Sequence, residues 1–117
     1  MTNASMQDRL FAVSPAVRYV AIYRQGELAL HQRPGIVNAS ASDSDRYEEL
    51  IVNPTLLKLL QQRGNIDCGG LEYVLIRYGS FFAFVNPQSD GHVAVSLEGT
   101  EDSLRLIPRL REVMSAL

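Results

Sequence analysis

The sequence predicts one α/β (α+β) domain, a five-stranded antiparallel sheet with helices on both faces in the order α-β-β-α-β-β-β-α. Three observations predict it. Five short runs rich in β-branched and aromatic residues are joined mostly by tight turns, and such turns demand antiparallel pairing because parallel neighbours need long crossovers. The second hairpin is apolar on both sides, with Val74 and Ile76 on one and Leu75, Phe82 and Phe84 on the other, so both faces of the sheet must be covered. Three segments with helical spacing are available to cover them.

The elements follow in order. Ser5, with Asp8 three residues on, resembles a capping box, and Met6, Leu10 and Phe11 give a short helix stopped before Pro15. Val17–Arg24 and Glu27–Gln32 read as the first hairpin, the second strand alternating Leu28 and Leu30 against Ala29 and His31. Glycine at the second position of the Gln25-Gly26 turn favours a type I turn with a glycine bulge over a type I′ turn. After a loop at Arg33-Pro34-Gly35, a cap at Asp43 or Ser44 opens a helix through Tyr47, Leu50 and Ile51. Pro54 then either kinks that helix or stands at the first position of a second one capped by Asn53, and Gly64 ends the segment. Residues 71–78 and 81–86 form the second hairpin about Gly79-Ser80, which suits a type II′ turn. Residues 87–91 turn the chain, and residues 92–98 alternate as the fifth strand. Thr100 caps a last helix with Glu101 and Asp102 in its first turn and Leu104, Ile107, Leu110, Val113, Met114 and Leu117 on its apolar face, bent at Pro108.

At 117 residues the chain is long enough to bury a core without metal or disulfide. A net charge of -2 offers no electrostatic attraction for nucleic acid or for anionic lipid. No apolar run approaches the ~20 residues of a membrane span, and the start of the chain lacks the pattern of a secretory signal. Cys68 is the single cysteine and cannot close an internal disulfide, in keeping with a cytoplasmic, reducing compartment.

No motif points to catalysis, to a cofactor or to a metal. His31 and His92 lack companions at metal-ligand spacing. Cys68 would be a nucleophile only if a histidine came close in the fold, and a free cysteine is more often simply buried. Asp43 and Asp45 lack the glycine and distal glutamate of a calcium loop, and Gly64, Gly69 and Gly70 lead from helix to strand, the reverse of a phosphate-binding loop.

Two features ask for more than a lone domain. Leu56, Leu57, Leu59 and Leu60 span about 160° of a helical wheel, wider than the stripe a helix needs on one sheet, so either the helix lies in a groove or something else covers it. Residues 71–78 carry only Glu72 and Arg77 as charges, and such a strand left at a sheet edge invites pairing.

The element order, and a short first helix running through proline into the segment PAVRYVAIYRQGE, resemble the roadblock family, which is named for dynein light chains and includes bacterial regulators of Ras-like GTPases. The resemblance covers about residues 5–117; longin and profilin-like domains share much of the order. It implies a sheet with residues 71–78 at an edge, the first and last helices on one face and the middle helix on the other. It also implies a homodimer formed by pairing that edge and packing the middle helices, with no catalytic motif. The interface would then take Leu56, Leu59 and Leu60 from the helix and Leu71, Tyr73, Leu75 and Arg77 from the strand. The loop from Pro34 to Ser42, and Pro54 within the helix, depart from the family pattern. The expectation is a non-enzymatic homodimeric module that regulates or scaffolds a small Ras-like GTPase, with no cofactor and neither nucleic acid nor membrane as partner. The alternative is a small-molecule sensor whose pocket lies between sheet and helix, with Tyr19, Tyr23 or Tyr73 as polar handles.

Overall fold

The computed structural model describes residues 2–116; Leu117, expected on the apolar face of the last helix, lies outside them. Five strands, β1 (Val17–Arg24), β2 (Glu27–Gln32), β3 (Val74–Arg77), β4 (Phe81–Gln88) and β5 (Gly91–Glu98), form one antiparallel sheet in the order β2-β1-β5-β4-β3. The central strands β1 and β5 are buried almost throughout, as strands covered on both faces must be. Edges fall to β2 and β3.

Helices cover both faces, as the two-sided apolar pattern requires. Helix α1 (Asn3–Phe11) and helix α4 (Ile107–Met114) lie on one face, where Met6, Leu10, Leu110, Val113 and Met114 pack on Val20, Ile22, Phe82, Phe84, Val93, Val95 and Leu97. The other face meets the middle helical segment, α2 (Ser42–Tyr47) and α3 (Asn53–Asp67), where a smaller cluster of Tyr19, Ala21, Leu57, Val85 and Ala94 is joined by Leu28, Leu30, Leu71 and Val74.

Several local expectations are corrected. The first helix is capped by Thr2, whose hydroxyl accepts the Ser5 N–H at 3.1 Å, so the helix begins before Ser5. Gln25 and Gly26 both take positive φ, 52° and 79°, and join Arg24 to Glu27 in a two-residue turn of the I′ kind, whose twist matches the flanking strands. Gly79 does not take the positive φ a type II′ turn requires; the turn is held by Tyr78 N–H donating to the Phe81 carbonyl at 3.0 Å. Ser42 opens α2 after Ala41, with no side-chain cap. Gly64 lies inside α3, buried where a Cβ would come within 3.1 Å of the Gly70 backbone; the helix ends at Asp67, and Gly69 and Gly70 reverse the chain with positive φ. A 3-10 stretch (Glu101–Leu106) precedes α4, which puts Pro108 in the first turn of α4, where its missing N–H costs nothing.

Pro54 does not open a separate helix after a cap at Asn53: the helical path runs on through it. Asn53 is helical, with φ -64° and ψ -45°, and its N–H donates to the Glu48 carbonyl five residues back, closing a π turn (Glu48–Val52). Proline lacks the N–H that α geometry would direct at the Leu50 carbonyl, and its ring crowds that carbonyl. A π turn just before it widens the register and lets the helical path continue.

Gly91 is fixed by a close approach. A Cβ there would lie 1.8 Å from the Tyr23 carbonyl oxygen, so only glycine lets β5 run this close beside β1. Pro87 lies beyond the reach of β3, whose last pairing is Val74 with Val85, so no ladder bond is lost to it. No helix among the described residues is long and apolar enough to cross a membrane.

Candidate functional site

Two regions stand out, one on the surface and one beneath the middle helix. On the surface, β3 is a sheet edge. Its hydrogen-bonding direction follows from the turn: Tyr78 pairs with Phe81 through a backbone bond, so by alternation Ile76 and Val74 also point their backbone groups at β4, and Leu75 and Arg77 point theirs outward. Beside that edge stands one flank of α3. Leu57 faces the sheet, while Pro54, Lys58, Gln61 and Asn65 line a groove with Tyr23, Gly91 and His92 towards β1 and β5. Leu56 and Leu60 lie on the opposite side of the helical wheel from that groove.

The expected interface residues divide accordingly. Leu59 is 59% exposed and Leu60 and Leu75 are each 39% exposed, so the helix is not sunk in a groove and part of its apolar arc stays uncovered. Leu56 is half-buried. Tyr73 is exposed but stacks edge-on against Phe84 at 5.3 Å, with the Arg111 guanidinium 5.1 Å from its ring. Arg77 lies over Phe82 at 4.8 Å and donates to the Gly99 carbonyl. The strand is shorter than residues 71–78, so Leu71 and Tyr73 both precede it, and Leu71 packs into the cluster under α3. Ile51, expected as an apolar position of this helix, and Ile66, which the pattern does not mark, are both exposed and add to the uncovered apolar surface.

Beneath the helix the sheet presents Tyr19, Ala83, Ala94 and Ser96, all small except Tyr19, and the helix answers with polar residues. Glu49 is buried and accepts three hydrogen bonds: Tyr19 O–H to Oε2 at 2.8 Å, Asn53 Nδ2 to Oε1 at 2.9 Å, and His92 Nε2, 2.7 Å from Oε1. His92 is thus a structural partner of a carboxylate, its ring tilted against Tyr23 at 5.6 Å. Burial pushes the Tyr19 hydroxyl far up from its ordinary range, and the Glu49 carboxylate adds to this. Asp45 is held by Gln32 Nε2 at 2.8 Å and by the Ser40 hydroxyl.

Next to this network lies a cavity of about 340 Å³ between the start of the middle helix and the sheet. Tyr19, Asp45, Glu48, Glu49, Asn53, Tyr78 and Phe81 are among the residues that line it. Glu48 accepts a bond from Tyr78 O–H at 2.9 Å. Burial raises the Glu48 carboxyl above its ordinary value, the Tyr78 bond working against this and the Glu49 and Asp45 charges adding to it. Tyr78 is pushed up to about 12, first by burial and then by its bond to Glu48. Of the three tyrosines expected as handles, Tyr19 lines this cavity; Tyr23 and Tyr73 line separate open grooves.

Cys68 is exposed just past α3 rather than buried, with its thiol 3.4 Å from Asp67, and the His92 ring belongs to Glu49. No group of three or more histidine, cysteine or acidic residues able to hold a metal occurs among the described residues. The chain matches no family model and no curated protein.

The Glu49 network escaped the sequence reading, although it left a trace. Glu49, Asn53 and Leu57 are four apart, so two polar residues continue the line of the one leucine that faces the sheet.

Proposed function

We propose that the protein is a non-enzymatic homodimeric interaction module that works in the cytoplasm. The observation that supports it best is the free edge of β3, with outward backbone groups on Leu75 and Arg77, together with the uncovered apolar side of α3 at Leu59 and Leu60. A second copy suits this edge better than an unrelated strand. Residues opposite each other across a strand pair share a face, so β3 can pair with itself about a twofold axis at Leu75. Such pairing sets Leu75 against the partner's Leu75, and Arg77 against the partner's Tyr73, an apolar pair flanked by two cation-aromatic pairs.

The resemblance to the roadblock family extends the proposal to a partner: the dimer regulates or scaffolds a small Ras-like GTPase by presenting a surface, with no chemistry of its own. Fold alone does not carry that extension, since one fold hosts many functions. Cross-linking mass spectrometry on the native protein tests both parts. Links between two copies at Lys58 and at the chain around β3, together with links to a GTPase, are expected. Links between copies without any GTPase would leave the dimer and remove the regulator; an unlinked monomer would remove both.

A further inference from the structure

We propose that the cavity under the start of the middle helix is a binding site for a small uncharged molecule with an apolar body and a carbonyl oxygen, which Ser96 holds by its hydroxyl. Ser96 stands on the floor of the cavity, on β5 between Tyr19 of β1 and Ala83 of β4. It is 8% exposed, and its hydroxyl makes no hydrogen bond among the described residues. The unpartnered side-chain atoms sealed from solvent are Arg24 Nε and Asn53 Oδ1, and the Ser96 hydroxyl is not among them. The surface it keeps is therefore turned to the cavity that Ser96 lines. Buried hydroxyls are as a rule hydrogen-bonded, so one left free beside an open space marks a place for an occupant.

The space is held open by the polar groups around it. Gln32 and Ser40 fix Asp45, and Tyr19, Asn53 and His92 fix Glu49, so the start of the middle helical segment is tied down at two positions. It cannot settle onto the small side chains of Ala83, Ala94 and Ser96 without breaking those bonds. Close packing leaves few voids larger than a water molecule in a protein interior, and about 340 Å³ is far larger.

The lining decides the class of occupant. Tyr19, Tyr78, Ser40 and Ser44 already give their hydroxyl protons to Glu49, Glu48, Asp45 and the Ala41 carbonyl, and Asn53 gives its amide to Glu49. Acceptors are thus plentiful, and the Ser96 hydroxyl is the buried one whose proton is free. Its partner is an acceptor on the ligand. A carboxylate or phosphate is the wrong acceptor, because Asp45, Glu48 and Glu49 line the cavity and no lysine, arginine or histidine does. A carbonyl oxygen accepts without bringing charge. Tyr19, Tyr78, Phe81, Ala83 and Ala94 offer aromatic and apolar surface to the body of the ligand. The volume is at the small end of ligand sites, which limits that body to about one ring or a short chain.

Heteronuclear NMR titration with acetophenone, benzoate and phenethylamine tests this. Acetophenone is expected to shift the amides of Phe81, Ala83, Ala94 and Ser96 saturably, with half-saturation below about 10 mM. Benzoate, of the same shape but charged, should give no saturable shift over that range, and phenethylamine should bind more weakly than acetophenone. Ser96→Ala removes a hydroxyl that has no partner, so it should fold as the unaltered protein does, yet bind acetophenone about fivefold more weakly, the worth of one neutral hydrogen bond. The carbonyl carbon of labelled acetophenone should resonate further downfield when bound to the unaltered protein than when bound to Ser96→Ala. No saturable shift with acetophenone, equal binding of benzoate, tighter binding of phenethylamine, or an unchanged affinity in Ser96→Ala would each overturn the proposal. The site lies within one chain, so the outcome is independent of dimerisation.

Discussion

The two faces of the sheet are built on different terms. Under α1 and α4 the interface is apolar and continuous, with Phe84, Met6, Leu10, Leu97 and Leu110 fully buried. Under the middle helix the apolar cluster is small, the sheet offers alanines and a serine, and a buried carboxylate with three donors fills the centre beside a cavity. Close packing of large side chains yields stability that grows with area removed from water. A polar network yields position instead, since each group must stand where its partner is. The comparison teaches where to look for function: one face secures the fold, and the other holds groups in place around free space.

The widest gap should be seen by truncating one large side chain on each face. Phe84→Ala should cost about 4 kcal/mol and Leu57→Ala about 2 kcal/mol, because Phe84 lies at the centre of a dense cluster and Leu57 in a sparse one. Urea unfolding of both variants reads the difference. Equal losses would mean that the middle helix is as firmly packed as the opposite face.

Glu49→Ala comes between them, at about 3 kcal/mol, since it leaves the Tyr19 hydroxyl, the Asn53 amide and His92 buried without their common acceptor. A double-mutant cycle with Tyr19→Phe should show coupling, the second change costing much less once Glu49 is gone. Additive losses would show that the network is not a unit.

How far the sequence reveals this contrast follows from particular residues. Alternation in Leu75, Phe82 and Phe84 against Val74 and Ile76 assigns both faces, because side-chain direction in a strand is local. The edge position of residues 71–78 rests on the family resemblance, since nothing within a strand says which neighbours it has. Pro54 in the sequence fits a kink or a first helical position because both keep α geometry on either side; the π turn is a third solution that only the path of the whole helix reveals. Gln25 at positive φ was unexpected because glycine at one turn position is no guide to its neighbour. Glu49 and Asn53 were visible as spacing, but the part of His92 depends on β5 crossing beneath the helix, which is tertiary. The cavity has no sequence signature at all: it is what small residues on β4 and β5 leave behind.

A smaller effect concerns Glu48, which accepts from one side chain where Glu49 accepts from three. Glu48 has a folded pKa raised above its ordinary value, so its proton is held more tightly in the folded state. Its contribution to stability is then present below the ordinary carboxylate pKa and is lost as pH rises through the raised value. At neutral pH the charge is a burden, and Glu48→Gln should stabilise the protein by less than about 1 kcal/mol, solvent screening limiting the gain at this half-exposed group. Thermal melts at neutral pH and near pH 4 should show the gain in the first and its disappearance in the second. Destabilisation at neutral pH would mean that the Tyr78 bond outweighs burial.

The most direct test of the account is whether the open edge of β3 holds two copies together. Leu75 directs its N–H outward and Val74 directs its own at β4, so proline, which has no N–H, distinguishes dimer from fold. Leu75→Pro and Val74→Pro would be compared with the unaltered protein by sedimentation velocity for mass and circular dichroism for unfolding. The account predicts a dimeric unaltered protein, a folded Leu75→Pro variant that dissociates, and a Val74→Pro variant destabilised in its fold. An unaltered protein that is monomeric at tens of micromolar, or a folded Leu75→Pro variant that stays fully dimeric, would contradict it.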